Sequence, residues 1–235
     1  MPAADILLNE KKYVPSAFDN IARRYDLATW FSRNYQTDLF RSVEKVSDIP
    51  AKRILDLCCG TGKSTLAIKK FFPEAEITAV DNSPEMLKVA EEKEELRGVK
   101  FVQADAMELD FPDAHFDIIF MAYGIRNMPD PVKCLNNLKR MLRPGGAICF
   151  HEYILSDGWW PRIYWSILGY GFILPFCSVL TGDFSIFRYL IHSVLNFFKL
   201  SDFCKTLQRK GFYEVKWYVL PGWRAPILKT VVAVK

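Results

Sequence analysis

An α/β doubly wound fold follows from three observations on this 235-residue chain. Between Arg53 and Glu152, short β-branched or aliphatic runs alternate with helix-length stretches. The first run empties into a glycine turn, Gly60-Thr61-Gly62. The second ends on an acid, Asp81. Strands that alternate with helices must lie parallel, because each crossover needs a connection of helix length, and the helices then cover both faces of the sheet.

Taken in order, the residues before Arg53 interleave aromatic and charged side chains with no strand pattern, which predicts a helical lid over 1–52. The core strands are predicted at 53–57, 77–81, 100–103, 117–122 and 147–152. Ser83 followed by Pro84 is an N-cap and a first-turn proline, with Glu85 in the first turn and Gly98 past the end. Asp130 and Pro131 open the next helix, and the pair Gly145-Gly146 is expected to close it. After an aromatic-rich cover over 153–200, one more helix is expected over 202–210, ending at Gly211. Two late runs, 214–219 and 228–234, flank Pro221, Gly222 and Pro226 and read as an edge hairpin. No internal repeat or low-complexity linker divides the chain, so a single domain over 1–235 is expected, with the core at 53–152 and the last helix and hairpin at 201–235.

Composition excludes several classes. Half the residues are hydrophobic and a quarter charged, which argues against disorder and coiled coil. The net charge of +4 comes from 31 basic and 27 acidic residues mixed along the chain, so no basic arm points to nucleic acid. Six cysteines form no C-x-x-C pair and predict neither zinc nor a disulfide framework. The first fourteen residues carry no apolar run of signal-peptide length, and a cytoplasmic protein is expected. The stretch 163–182 has no charged residue and follows Trp159 and Trp160. Gly169, Gly171 and Pro175 argue against a span, so it is read as a buried or interfacial cover.

The strand, the glycine turn and the helix N-terminus together make a cradle of backbone N–H groups, and Asp81 stands nineteen residues after Gly62, where a carboxylate accepts from both hydroxyls of a ribose. Asp56 at the strand end adds a second acid. Competing readings are a phosphate-binding P-loop through Gly62-Lys63-Ser64, whose first glycine position is Leu57, and a dinucleotide fingerprint, whose third glycine position is Thr65. A merely tight strand-to-helix turn is the plain alternative.

These segments resemble the class I S-adenosylmethionine (SAM) dependent methyltransferases. "LDLCCGTG" is similar to their first motif, "AVDNSPEML" to the second, "VQADAMELDFPDAHFDIIF" to the third and fourth, and "LKRMLRPGG" to the helix and turn before strand five. The resemblance implies a Rossmann-like sheet and SAM as cofactor. It places Gly60, Thr61 and Gly62 by the methionine part, Asp81 at the ribose, Asp105 and Ala106 at the adenine and Ala122 near the methyl donor, with Asp56 and Asn82 also counted among the cofactor-binding residues.

A narrower resemblance, to the ubiquinone/menaquinone biosynthesis C-methyltransferases, rests on "FDNIARRYD" (residues 18–26) and "YGIRNMPD" (residues 123–130). "GDFSIFRYLIHSV" is similar to that family's helix after the substrate cover. The chain departs from the family at Cys58, Cys59, Lys63 and Ala122, and its tail lacks the Gly-Gly and His pattern of the quinone enzymes. The implied acceptor is a reduced prenylated quinone, with a lipid amine such as phosphatidylethanolamine as the alternative. A P-loop nucleotide-binding protein and a non-catalytic partner subunit of the methyltransferase fold remain further alternatives.

Carbon methylation of a quinol requires an electron-rich ring, so Arg126 is expected to stabilise a phenolate oxyanion and Asn127 to orient it. Candidate bases are His151, Glu152, His192, Tyr25 and Asp26, with His115 expected at the surface; His151 reads equally as a core histidine. No metal is implied. Expected partners are a hydrophobic small-molecule acceptor, a membrane surface contacted through residues 159–200, and a second copy of the chain.

Overall fold

The structure, a computed structural model, describes residue 11, residues 14–19 and residues 34–235, apart from the Phe18 and Thr181 side chains. Tyr25 and Asp26 lie outside the described residues, as does much of the expected lid.

Seven strands form one sheet in the order β3-β2-β1-β4-β5-β7-β6. They are β1 Arg53–Leu57, β2 Glu76–Asp81, β3 Lys100–Gln103, β4 Phe116–Ala122, β5 Leu142–Tyr153, β6 Tyr213–Val219 and β7 Leu228–Val234. The first five pair in parallel, while β7 runs antiparallel to β5 and β6, so the expected hairpin does sit at the sheet edge. Strand order reverses between β1 and β4, and their carboxyl ends open the crevice where such sheets bind ligands.

Helices cover both faces: α1 Val14–Asp19, α2 Tyr35–Glu44, α3 Lys63–Phe71, α4 Pro84–Glu91, α5 Pro131–Met141, α6 Trp160–Leu168, α7 Leu174–Thr181, α8 Phe184–Leu195 and α9 Leu200–Arg209. Sequence caps behave as their chemistry requires. The Ser83 hydroxyl accepts from Met86 N–H at 3.1 Å, and the Asp130 carboxylate accepts from Lys133 N–H at 2.9 Å. The end of α5 differs from expectation. It stops at Met141, and Gly145 and Gly146 lie within β5, where Gly145 N–H and Gly146 C=O pair with the backbone of Lys235.

Two apolar clusters flank the sheet. One packs Leu135, Leu138, Phe203 and Leu207 of α5 and α9 against Ile119, Ile148 and Phe150. The other packs Leu39, Val43, Ala67 and Ile68 of α2 and α3 against Ile54, Phe120 and Cys149. A third lies under the cover, where Trp165, Leu174 and Ile191 meet Leu155, Leu220 and Ile227. Between α6 and α7 the helix widens into one π turn, Gly169–Ile173.

Candidate active site

A cavity of about 400 Å³ opens over the carboxyl ends of β1, β2 and β4 and runs beneath the cover. Its floor is the turn after β1. Cys58 and Gly60 both adopt left-handed backbone, at φ of 59° and 53°, which lets the chain reverse within three residues while Cys59 N–H bonds Val80 C=O at 3.1 Å. A side chain added at Gly60 would meet nothing within 4 Å, so this glycine leaves the cradle open. Gly62 has a different duty. A Cβ there would stand 2.4 Å from Leu96 Cδ1, so it lets α3 pack, and it does not line the cavity. That corrects the expectation that both glycines face a ligand.

The Asp81 carboxylate accepts from Gly60 N–H at 2.8 Å and Ser83 N–H at 2.9 Å, which fixes it against the cavity. Burial raises its pKa, and those backbone bonds oppose the rise. Asp56 is fully buried one layer below, with one carboxyl oxygen accepting from Ser64 Oγ at 2.8 Å and Thr65 Oγ1 at 2.6 Å. The other oxygen has no partner among the described residues, and burial lifts the pKa to about 7. Asp56 does not line the cavity, so its expected role as a direct contact is corrected to one acting through the turn. Neither acid is ion-paired among the described residues. Two close carboxyl groups beside an open backbone cradle fit a ligand that carries hydroxyls and positive charge. Thr61, Asn82, Asp105, Ala106 and Ala122 line the same half of the cavity, and Asp105 also accepts from Met107 N–H at 2.8 Å.

The P-loop reading loses its chemistry here. Ser64 spends its hydroxyl on Asp56, and the Lys63 ammonium lies over the Tyr35 ring at 5.5 Å. Asp81 holds the turn through Gly60 N–H, and the Lys93 ammonium donates to Thr61 C=O at 2.7 Å, so neither Lys63 nor Ser64 is presented to a phosphate.

The other half of the cavity is organised by the loop after β4. Tyr123 stands at φ 55°, uncommon for an aromatic residue, and its carbonyl accepts from Arg126 Nη1 and Asn127 Nδ2, each at 3.1 Å. Arg126 is buried, with Nη1 bonded to Glu152 Oε1 at 2.5 Å and Nε bonded to Ser193 Oγ at 3.2 Å. Its Nη2 group makes no hydrogen bond among the described residues. Asn127 Oδ1 accepts from Tyr189 Oη at 3.1 Å, and burial pushes that phenol up to about 12. Arg126, Asn127, Tyr153 and Tyr189 line the cavity together with Ile173, Cys177, Ile186, Phe187 and Leu190 of the cover.

Lys11 closes this loop from above, its ammonium donating to Arg126 C=O and Met128 C=O, both at 2.8 Å. On the same segment Val14 packs on Tyr189, and Asp19 accepts from Ser83 Oγ. Sequence reasoning missed Lys11, Tyr123 and the pairing of Arg126 with Glu152. Only the position of Tyr123 next to Gly124-Ile125-Arg126-Asn127 was a signal for any of them.

His151 is a correction. It is fully buried, does not line the cavity, and burial lowers its pKa to about 3. Its Nδ1 is hydrogen-bonded with Ser42 Oγ at 2.7 Å and Thr230 Oγ1 at 3.2 Å, and its Nε2 with Tyr123 Oη at 3.0 Å, so both ring nitrogens are engaged by the protein. The histidine therefore orients Tyr123 from behind and takes no proton from a bound acceptor. His192 also falls outside the cavity, bonded to Tyr170 Oη at 2.8 Å, and His115 sits by Arg53 at the opposite end of the sheet.

The model of the ubiE/COQ5 methyltransferase family matches residues 6–228. The chain belongs to the ubiE/COQ5 methyltransferase family. This methyltransferase is 36% identical over 213 residues to the demethylmenaquinone methyltransferase of Thermus thermophilus, covering 86% of this chain and 94% of the relative. It is 34% identical over 209 residues to that of Thermotoga maritima, covering 86% and 89%. Among solved structures, a SAM-dependent methyltransferase from Thermotoga maritima superposes with a TM-score of 0.67 at 18% identity, covering 93% of this chain and 98% of that one. The methyltransferase takes SAM as its cofactor, which when bound supplies an electrophilic sulfonium methyl group. The half of the cavity bounded by Gly60, Thr61, Asp81, Asn82 and Asp105 is the part whose chemistry fits it.

Proposed function

We propose that this methyltransferase adds a methyl group to a ring carbon of a reduced prenylated quinone. The observation that carries the reading is the position of Arg126 and Asn127, where the acid-lined half of the cavity meets the apolar half under the cover. The first half suits SAM, the junction at Arg126 and Asn127 suits a quinol head, and the apolar half suits an isoprenoid chain. The names of the relatives, demethylmenaquinone methyltransferase, support the same acceptor class.

The chemistry asks little of the protein beyond positioning. Methyl transfer is an in-line displacement, so donor and acceptor must be held about 3–3.5 Å apart with water excluded. A ring hydroxyl with a pKa near ~10 must share or lose its proton before the carbon becomes nucleophilic. Arg126 stays cationic, because the Glu152 carboxylate supports its charge against burial, and the Nη2 donors are available to a phenolate oxygen. Asn127, held by Tyr189 and by the Tyr123 carbonyl, presents a fixed amide beside it. The phenol of Tyr189 remains protonated and is a donor, not a base.

The test is to incubate the protein with methyl-labelled SAM and, separately, dithionite-reduced demethylmenaquinone, the benzoquinol precursor of ubiquinone and phosphatidylethanolamine. Label is expected on a quinol ring carbon and only under reducing conditions. Label on the lipid amine alone would replace this acceptor with the other.

A further inference from the structure

The cover is apolar on both of its sides. Toward the protein, Trp165 is fully buried and its indole N–H donates to Ile191 C=O at 3.1 Å. A Cβ on Gly169 would stand 2.7 Å from Ile191 Cγ1, so α6 lies in close contact with α8. Away from the protein, Ile163, Ile167, Tyr170, Phe172, Phe176 and Val179 are exposed, Val179 at 85%. Trp159 and Trp160 begin this face, 70% and 55% exposed.

Trp160–Leu180 is long and apolar enough to cross a membrane by length and composition. Its tight fit to α8 and the hydrogen bond of Trp165 instead hold it flat on the protein, with one face outward. A continuous apolar face of this length, roughly 30 Å at 1.5 Å per residue, is a poor neighbour for water.

We infer that this face, Trp159 to Phe184, docks on the surface of a phospholipid bilayer with anionic headgroups, and that the acceptor enters the cavity from there. This rests on the reading of the acceptor as prenylated. Three observations single out lipid as the occupant. The wall between bilayer and cavity is one helix thick, because Ile173 and Cys177 line the cavity while their neighbours Phe172 and Phe176 are exposed. The face starts with paired tryptophans, which suit the boundary between hydrocarbon and headgroups. The one charge between Trp159 and Gly182 in the sequence is Arg162, a cation, which suits anionic headgroups.

The experiment is flotation of the full chain with vesicles of phosphatidylglycerol and phosphatidylethanolamine, comparing wild type with W159A/W160A and with I167E/F176E. Wild type is expected to float, and each variant to lose at least tenfold in bound fraction while keeping its circular dichroism spectrum. Wild type remaining in the dense fraction, or variants floating equally, would overturn the inference. So would wild type that does not float but self-associates by light scattering where I167E/F176E is monomeric, since a second copy would then cover the face. If a variant does not fold, wild type with brominated lipid decides: quenched tryptophan fluorescence supports docking, and unquenched fluorescence rejects it. Activity on a water-soluble quinol with one isoprene unit is read in parallel without vesicles. Its absence would refute the acceptor reading and leave the flotation result to stand alone.

Discussion

Glu152 at the end of β5 receives the guanidinium of Arg126 at 2.5 Å, both side chains shut away from water and 26 residues apart in sequence. Burial pushes the Glu152 carboxyl up and Arg126 pulls it back. Removing one member of such a pair leaves an uncompensated charge, a cost of about 3–5 kcal/mol. Glu152→Gln is therefore expected to lower the urea midpoint and the turnover together. Adding Arg126→Gln should recover much of the midpoint and none of the turnover. Activity that returned with stability would show Arg126 to be structural only.

Gly60 and Gly62 should separate cleanly. Gly62→Ala drives a Cβ into Leu96 at left-handed backbone, so a loss of about 1–3 kcal/mol in thermal stability is expected. Gly60→Ala meets open space and carries only the backbone penalty. Its larger effect should appear as weaker binding of S-adenosylhomocysteine by calorimetry. Equal effects of the two on stability and binding would contradict the different duties assigned to them.

Asp81 holds two backbone N–H groups and faces the cavity. Hydrogen bonds to a charged group are worth about 1.5–3 kcal/mol, so Asp81→Asn is expected to weaken S-adenosylhomocysteine roughly ten- to hundredfold. An unchanged Kd would remove Asp81 from the cofactor site.

His151 and Asp56 make opposing contributions to acid stability. The unfolded histidine takes a proton below about 6.5, whereas the folded ring resists until about 3, so acid favours unfolding through that window. The folded Asp56 keeps its proton up to about 7, whereas the unfolded carboxyl releases it above 3.8, so acid favours folding there. The two nearly cancel between pH ~4 and ~6.5. His151→Gln should then gain stability relative to wild type, and Asp56→Asn lose it, by about 2 kcal/mol each as pH falls from ~6.5 to ~5. Urea midpoints across that range check both signs.

Tyr189→Phe deletes a hydroxyl that holds the Asn127 amide and leaves the ring packed against Val14. A loss of several-fold in kcat with little change in melting temperature is expected. A fall in stability comparable with a core deletion would show the hydroxyl to be a packing element.

The core of this fold was legible because its signals are local. Alternating runs announced the strands, Ser83-Pro84 and Asp130-Pro131 announced two helices, and the turn at Gly60 with Asp81 announced the cofactor half. What stayed hidden depends on residues distant in sequence. His151 looked like a base at a strand end because nothing in its neighbourhood reveals Ser42, 109 residues away, or Thr230, 79 residues away. Gly145 and Gly146 look like a helix stop, yet their backbone partner is Lys235. The acceptor half is assembled from Lys11, Arg126, Glu152 and Tyr189, four segments that only the folded sheet and cover bring together.

The π turn at Gly169–Ile173 makes the register of the cover a matter of chain length. Deleting one residue there would rotate everything after it by about 100°. Leu174 and Cys177 would roll outward, and side chains now outside would be carried toward Ile191 and the cavity. Composition would be almost unchanged, yet the shape offered to an acceptor would be new. A one-residue length change in this turn is thus a route by which the same scaffold can be re-addressed to a different acceptor, with the cofactor half untouched.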